Sequence, residues 1–188
     1  MRIYRNHIQK KNPMNMKRAE QLTEHKMESR LDYSKALPEG MKAINALDHY
    51  SSNCGLEPAL LDLIKLRASQ INGCAYCIDM HSKDARTRGE VEQRLYGLHV
   101  WRETPYYTDR ERAALAFTEA VTLIPDKHVP DEVYEQARQQ FSDEELVKLM
   151  IGIVIINTWN RFAITFRDEP GSYQPNHFVA AATAKVSE

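Results

Sequence analysis

Apolar residues recur every three or four positions along most of the chain, which is the spacing of one face of an α-helix. In EPALLDLIKLRASQING, for example, Leu60, Leu63 and Ile64 follow this period, and Pro58 stands where a first helical turn tolerates a missing N–H. We find no segment with the alternating pattern of a β-strand between turn signals. The pattern predicts an all-α fold that begins near residue 38.

Residues that cap helices mark several of the predicted ends. Thr108 with Glu111, and Ser142 with Glu145, have the spacing of capping boxes, in which each side chain satisfies the other residue's backbone N–H. Gly89 follows CAYCIDMHSKDARTR, where a residue in the left-handed conformation would end a helix. These signals predict separate helices joined by short turns.

The helix predicted after Ser142, DEELVKLMIGIVIINTWNRFAITF, is apolar on nearly every face. In a globular protein such a helix lies centrally or at a subunit interface. Asn157, Asn160 and Arg161 interrupt it, which predicts buried hydrogen bonds or subunit contacts for these side chains. We therefore expect this helix at the core of a homo-oligomer.

Composition and charge narrow the class of protein. The chain has 188 residues, 43% of them hydrophobic and 27% charged, which suits one globular domain with short tails. The formal net charge is −1, so no global field favours nucleic acid or an anionic membrane. Residues 1–18 contain six basic and no acidic residues, and we interpret them as a solvated tail.

The three cysteines indicate the cellular compartment. An odd number this small does not make a disulfide framework, and the first twenty residues contain no apolar signal segment. The longest apolar run, LMIGIVII at 149–156, is too short to cross a bilayer. We expect a cytoplasmic protein, in which a CxxC pair is more often catalytic or metal-binding than structural.

The candidate chemistry lies in GCAYCIDMH, residues 73–81. On a helix that begins near Cys74, the side chains of Cys74, Cys77 and His81 lie at roughly 0°, 300° and 340°, and therefore share one face. Both thiols would occupy the first turn, where the helix dipole and a nearby histidine favour a thiolate. The spacing also allows His81 to take the proton of Cys77, and Cys74 to form a disulfide.

Three interpretations of this motif stay open on spacing alone. The first is a dithiol that cycles to a disulfide. The second is a zinc site formed by the three side chains with Cys54 or His49 as a fourth ligand, although structural zinc sites usually combine two short ligand clusters. The third is a pair of buried cysteines beside a surface histidine. A thioredoxin domain is disfavoured because the segment before Cys74 has helical and not strand periodicity.

The segment EPALLDLIKLRASQINGCAYCIDMHSKDAR resembles the AhpD-like alkylhydroperoxidase branch of the carboxymuconolactone decarboxylase superfamily. The resemblance extends over about residues 31–170 and includes WRETPYYTDRERAALAFTEAVTLI and INTWNRFAI. It implies a helical bundle of the AhpD-like type over 31–170, which leaves 1–30 as a basic, flexible extension and 171–188 as a C-terminal tail. It also implies assembly as a homo-oligomer, often a trimer or hexamer.

The resemblance further implies a thiol peroxidase that acts in antioxidant defence without metal, haem, flavin or other cofactor. By position, Cys77 would attack the hydroperoxide and Cys74 would resolve the sulfenic acid as a disulfide. Asp62, twelve residues before Cys74, would join His81 in a proton relay. An external dithiol on a lipoyl-bearing or thioredoxin-type protein would reduce the disulfide. Alternatives are a general dithiol–disulfide redox protein and a non-enzymatic, zinc-stabilised oligomeric scaffold.

Two positions depart from the pattern of this family. Asp62 stands where characterised members have Glu, so its carboxylate is one methylene closer to the backbone. Tyr76 stands where those members have His, and a phenol with a reference pKa of about 10 does not act as a base near neutral pH. It could donate a hydrogen bond to a thiolate or line a pocket. Both departures affect peroxidase efficiency more than thiol redox chemistry itself.

Overall fold

Helices and turns make up the whole of residues 28–175, the part of the chain that the computed structural model describes. The helices are α1 (Tyr33–Ala36), α2 (Pro38–Ser52), α3 (Pro58–Asn72), α4 (Ala75–Thr87), α5 (Glu92–Gly97), a 3-10 helix (Leu98–Glu103), α6 (Asp109–Thr122), α7 (Ile124–Lys127), α8 (Asp131–Arg138) and α9 (Asp143–Phe166). No strand occurs within these residues. The predicted all-α class is confirmed.

The helix ends follow the capping signals of the sequence. Both capping boxes form: the side chains of Thr108 and Ser142 each accept a hydrogen bond from a backbone N–H, and the carboxylates of Glu111 and Glu145 accept one from the backbone N–H of Thr108 and Ser142. Gly89 follows the end of α4 with a φ of 98°, a conformation that favours glycine. The predicted helix boundaries are therefore correct at these three places.

Helix α3 lies at the centre of the fold, between α4, α6 and α9. Ile64 packs in one hydrophobic cluster with residues of α6 and α9, whereas Leu63 packs in a second cluster with residues of the 3-10 helix and α6. Both side chains are fully buried. Because α3 contributes to two cores at once, truncation of either residue to alanine costs about 2–5 kcal/mol by comparison with other buried aliphatic residues.

Helices α3 and α9 approach closely and are joined by a buried polar contact. A Cβ atom at Gly152 would lie 3.2 Å from Cδ1 of Ile64, so a glycine permits this approach. The fully buried Asn160 donates a hydrogen bond to Oγ of Ser69 (3.0 Å) and accepts one from Nδ2 of Asn72 (2.8 Å). The prediction of buried hydrogen bonds for this asparagine is confirmed.

One face of α9 stays exposed in the single chain. Val147, Met150 and Val154 are between 37% and 61% exposed. By length and composition alone α9 is apolar enough to cross a membrane, a criterion that the central helix of a globular protein also meets. Here α9 packs against α2, α3 and α6. The predicted homo-oligomer and cytoplasmic location stay predictions.

The two ends of the described chain lie against this scaffold. The backbone N–H of Arg30 donates to the carbonyl of Phe166 (2.9 Å), and the Tyr33 ring packs edge-on against Phe162 with centroids 5.1 Å apart. At the other end, the hydroxyl of Tyr173 donates to Asp84 on α4 (2.7 Å). The predicted extension 1–30 and tail 171–188 lie largely outside the described residues.

Candidate active site

The turn between α3 and α4 places both cysteines of the motif at the start of a helix. Gly73 ends α3 in the left-handed conformation, with a φ of 68°, and the chain reverses there. Cys74 is the N-cap residue of α4, and its Sγ accepts a hydrogen bond from the backbone N–H of Cys77 at 3.3 Å. The predicted helix start near residue 74 is confirmed.

Cys74 and Cys77 form a disulfide, with Cα atoms 5.3 Å apart. Their side chains are 1% and 2% exposed. The third cysteine, Cys54, is a buried free thiol in the hydrophobic cluster around Ile64. Within residues 28–175 no three His, Cys, Asp or Glu side chains are arranged to hold a metal ion. The structure therefore presents the motif as an oxidised dithiol.

His81 lies one turn after Cys77 on the same helix and is also buried, with an exposed fraction of 6%. Its Nε2 atom is buried and has no hydrogen-bond partner in the protein. Burial lowers the pKa of His81 to about 3, and the positive charges of Lys65 and Arg88 act in the same direction. In the oxidised protein the imidazole is therefore neutral at physiological pH and only a weak base.

Asp62 lies on α3 and is buried as well, at 6% exposure. One carboxylate oxygen, Oδ1, accepts a hydrogen bond from Arg88 at 2.5 Å, whereas Oδ2 is buried and has no partner. Burial raises the pKa of Asp62, against the opposing effect of the Arg88 charge. Within the described region Asp62 and His81 share no direct hydrogen bond, so their predicted relay stays a prediction.

A cavity of about 220 Å³ gives access to Cys77 and His81. We call it the Cys77 cavity. Its walls are mainly aromatic and aliphatic, and Tyr76 is among them. Burial raises the pKa of the Tyr76 phenol, which is therefore protonated at neutral pH. The lining residues are Tyr33, Asp48, Lys65, Tyr76, Cys77, Met80, His81, Ile156, Trp159, Ala163 and Asp168.

Lys65 supplies the cation of this cavity. Its ammonium donates to Oγ of Ser52 (3.1 Å) and lies 3.5 Å from Oδ1 of Asp48. The side chain is only 12% exposed, so its charge is weakly screened by solvent. Because Lys65 and Cys77 line the same cavity, this charge would favour a thiolate at Cys77, against the opposing charges of Asp48 and Asp168.

Sequence reasoning missed most of the residues that line the Cys77 cavity, among them Tyr33, Lys65 and Asp168. A signal for Lys65 was present, because it is a charged residue among the apolar positions of LLDLIKL. Tyr33 and Asp168 carried no such signal. They meet through a 2.8 Å hydrogen bond from the Tyr33 hydroxyl to Oδ2 of Asp168, across 135 positions of the chain.

Comparison with known proteins agrees with this fold and motif. The family model "Carboxymuconolactone decarboxylase family" matches residues 38–120. The uncharacterized protein YdfG of Bacillus subtilis is 44% identical over 146 residues, which are 78% of this chain and 99% of YdfG. The chain thus belongs to the carboxymuconolactone decarboxylase family.

Solved structures narrow the fold within that family. A protein of unknown function from Agrobacterium tumefaciens, a candidate antioxidant defence protein AhpD, is 49% identical with a TM-score of 0.74, over 79% of this chain and 99% of that one. An uncharacterized peroxidase-related protein from Ralstonia eutropha with an alkylhydroperoxidase AhpD core has 22% identity and a TM-score of 0.64, over 74% and 75% of the two chains. The fold is AhpD-like.

Proposed function

We propose that this protein is a thiol peroxidase that reduces hydroperoxides through a Cys77 thiolate and a Cys74–Cys77 disulfide. The observation that supports this most is the arrangement around Cys77: a disulfide partner three residues earlier, a buried neutral histidine one turn later, and a cavity that reaches both Cys77 and His81. The AhpD-like relatives point to the same chemistry.

The proposed oxidative half-reaction begins with the reduced dithiol. His81 accepts the proton of Cys77, and the thiolate attacks the terminal oxygen of the hydroperoxide. The O–O bond breaks, the alkoxide leaves and takes the proton from His81 as an alcohol, and Cys77 becomes a sulfenic acid. The thiol of Cys74 then attacks the sulfenic sulfur and releases water. Two electrons pass from the thiol pair to the peroxide, and the disulfide of the present structure results.

Charges around Cys77 support the ionisation that this mechanism needs. A buried imidazole is a weak base while its neighbour is a neutral disulfide. A thiolate at Cys77 would stabilise the imidazolium of His81, because opposite charges in a poorly solvated site attract strongly. The ammonium of Lys65 would stabilise the thiolate in turn. We further propose that Asp62 orients His81 through a water, since each has a buried polar atom without a partner.

Regeneration requires an external dithiol that reduces the Cys74–Cys77 disulfide by exchange. A lipoyl-bearing or thioredoxin-type protein is the proposed donor class. The cycle then needs no metal or other cofactor, because the two cysteines accept and release both electrons.

Substitution of each cysteine tests the proposal. We expect Cys77→Ser to abolish peroxide consumption in the presence of dithiothreitol, with a loss of at least 10³-fold. Cys74→Ser should leave a sulfenic acid that a dimedone probe labels after one equivalent of peroxide. The matched control is Cys54→Ser, which removes a buried thiol outside the Cys77 cavity and should retain turnover. Peroxide turnover by the Cys77→Ser protein would contradict the assignment.

A second candidate is a dithiol–disulfide oxidoreductase whose substrate is another disulfide. It is favoured by one observation: Asp62 pairs with Arg88 and not directly with His81, so the relay proposed for peroxide chemistry has no direct contact in the oxidised protein. Comparison of the rates at which a hydroperoxide and a disulfide such as oxidised lipoamide oxidise the reduced protein distinguishes the two activities.

We also propose that the exposed apolar face of α9 packs against other copies of this chain. Val147, Met150 and Val154 form part of this face and are exposed in the single chain. A contiguous apolar face of this kind is typical of a subunit contact. Light scattering coupled to size-exclusion chromatography should give the mass of a trimer or hexamer, and a monomeric mass would contradict the proposal.

A further inference from the structure

The two cysteines of the motif line different cavities. Cys77 lines the Cys77 cavity together with His81 and Lys65. Cys74 does not line that cavity and instead lines a second one of about 140 Å³, which reaches neither Cys77 nor His81. We call the second one the Cys74 cleft. Tyr76 lines both cavities, so they lie on two sides of a shared wall.

We propose that a thiol reductant enters through the Cys74 cleft and attacks Sγ of Cys74, while the oxidising substrate approaches Cys77 from the other side. The inference rests on the proposed function, because it assigns the reductive half-reaction of the same disulfide. Each half-reaction then has its own entrance. A reductant at Cys74 does not have to displace an oxidant from the Cys77 cavity.

The chemistry at the two sulfur atoms is consistent with this direction of attack. A thiolate RS⁻ that bonds to Sγ of Cys74 breaks the S–S bond and releases Cys77 as the thiolate, beside Lys65 and His81. Thiolates that are better stabilised leave faster. Attack on Cys77 would instead release Cys74 as the thiolate. Its Sγ accepts one hydrogen bond, from the backbone N–H of Cys77, and the cation in its cavity is Arg167, which is more exposed than Lys65.

The electrons balance when the reductant supplies a second thiolate. That thiolate attacks the reductant sulfur of the mixed disulfide and forms a new disulfide within the reductant. Cys74 then leaves as a thiolate and takes a proton from solvent. The reductant loses two electrons, and both cysteines return to the reduced state with Cys77 already ionised for the next substrate.

The shape of the Cys74 cleft indicates the class of ligand. A volume of about 140 Å³ corresponds to roughly four or five water molecules, so the cleft admits a slender thiol-bearing arm and excludes a folded segment. Ala75, Ile164 and Pro170 give it apolar walls. Arg167 adds a positive charge that favours an approaching thiolate, and Asp168 adds an opposing negative charge. These features fit a thiolate on a narrow, largely apolar chain.

Chemical trapping tests which sulfur is attacked. Oxidised protein is mixed with N-acetylcysteamine, a slender monothiol, quenched with acid within milliseconds to seconds, and labelled with N-ethylmaleimide before peptide mass spectrometry. We expect the thiol adduct on Cys74 and the maleimide on Cys77 at the earliest times. Glutathione, which has bulky charged arms, should react more slowly at equal thiolate concentration. An early adduct on Cys77 would overturn the proposal. Equal reaction rates for N-acetylcysteamine and glutathione would overturn the inference that the cleft selects a slender thiol.

A matched pair of variants tests the entrance itself. Ile164 lines the Cys74 cleft and is 47% exposed, so Ile164→Glu places a negative charge at its mouth. Because one partly screened charge repels the thiolate, we expect reduction by dithiothreitol to be roughly fivefold slower. The rate at which peroxide oxidises the reduced protein should stay within about twofold of the wild type. Thr165→Glu adds the same charge one residue away, outside both cavities, and should reduce normally.

The two measurements separate this inference from the proposed function. The trapping experiment uses no hydroperoxide, so its result can be interpreted even if the protein has no peroxidase activity. Equal slowing by Ile164→Glu and Thr165→Glu, or slowing of the peroxide step alone, would overturn the assignment of the Cys74 cleft while leaving the peroxidase proposal intact.

Discussion

Two carboxylates, the half-buried Glu119 and the buried Asp62, have pKa values shifted in opposite directions. Glu119 accepts hydrogen bonds from Arg67 and from Nε1 of Trp101, both at 2.8 Å, and pairs with Arg102. Burial raises the pKa of Glu119, but these hydrogen bonds and charges outweigh it and hold the pKa below its ordinary value. Burial raises the pKa of Asp62 in spite of Arg88.

The difference lies in how many polar atoms are satisfied. Both oxygens of Glu119 have partners, whereas Asp62 has one buried oxygen without a partner, and His81 has one such nitrogen. Fully paired buried charges fix a structure, whereas unpaired buried groups cost stability and persist where a site needs them. The region around Glu119 is therefore a structural contact, and the region around Cys77 is the candidate active site.

Substitution of His81 should have the largest effect on chemistry. His81→Gln keeps a polar side chain of similar size but has no imidazole to accept the Cys77 proton. General base catalysis typically contributes about 10²–10⁴-fold, so we expect the rate of Cys77 oxidation by peroxide to fall by that range at pH 7. Stopped-flow tryptophan fluorescence of the reduced protein measures this rate. A partial recovery of the rate at high pH, where the thiol ionises without a base, is expected.

A wild-type rate for His81→Gln at pH 7 would remove His81 from the mechanism. The stability of this variant distinguishes chemistry from damage to the fold. Because Nε2 of His81 makes no hydrogen bond in the protein, we expect the free energy of unfolding in urea to change by less than about 1.5 kcal/mol.

Substitution of Glu119, in contrast to that of His81, should lower the stability of the fold and leave the rate of Cys77 oxidation nearly unchanged. Glu119→Gln removes a charge on which Arg67, Arg102 and Trp101 converge, and loss of one partner of a largely buried ionic contact costs about 3 kcal/mol. We expect the urea midpoint to fall accordingly, while the oxidation rate of the folded, reduced protein stays within about twofold of the wild type.

The control for that substitution is Glu92→Gln. Glu92 pairs with Arg86 at 2.6 Å, but both side chains are largely exposed, at 44% and 59%. Exposed pairs contribute at most about 1 kcal/mol. If Glu119→Gln is no more destabilising than Glu92→Gln, the contact around Glu119 is not the structural element that we infer.

The sequence predicted the parts of the molecule that depend on neighbours along the chain. Cys77 and His81 lie one turn apart on α4 because their spacing requires it, and Gly73 marks the turn before Cys74. Contacts between distant segments could not be predicted in this way. The pairing of Asp62 with Arg88 joins two helices, and the meeting of Tyr33 with Asp168 joins both ends of the described chain. Local periodicity contains no information about either contact.

The comparison also predicts how stability depends on pH. Below its ordinary pKa of 6.5, His81 binds a proton in the unfolded chain, whereas in the folded protein burial lowers the pKa to about 3. Stability from the neutral imidazole is therefore complete above pH 6.5 and is lost as pH falls from 6.5 towards 3. One such group contributes about 1.4 kcal/mol for each pH unit.

Urea unfolding of the oxidised wild type and of oxidised His81→Gln between pH 7 and pH 4 measures this contribution, because the disulfide removes both motif thiols from the titration. The wild type should lose up to about 1.4 kcal/mol per pH unit more than the variant. Asp62 titrates with the opposite sign, since its raised pKa favours the folded state at low pH, but it is present in both proteins. Parallel pH profiles would mean that folding does not lower the pKa of His81, which would contradict the buried neutral imidazole inferred from the structure.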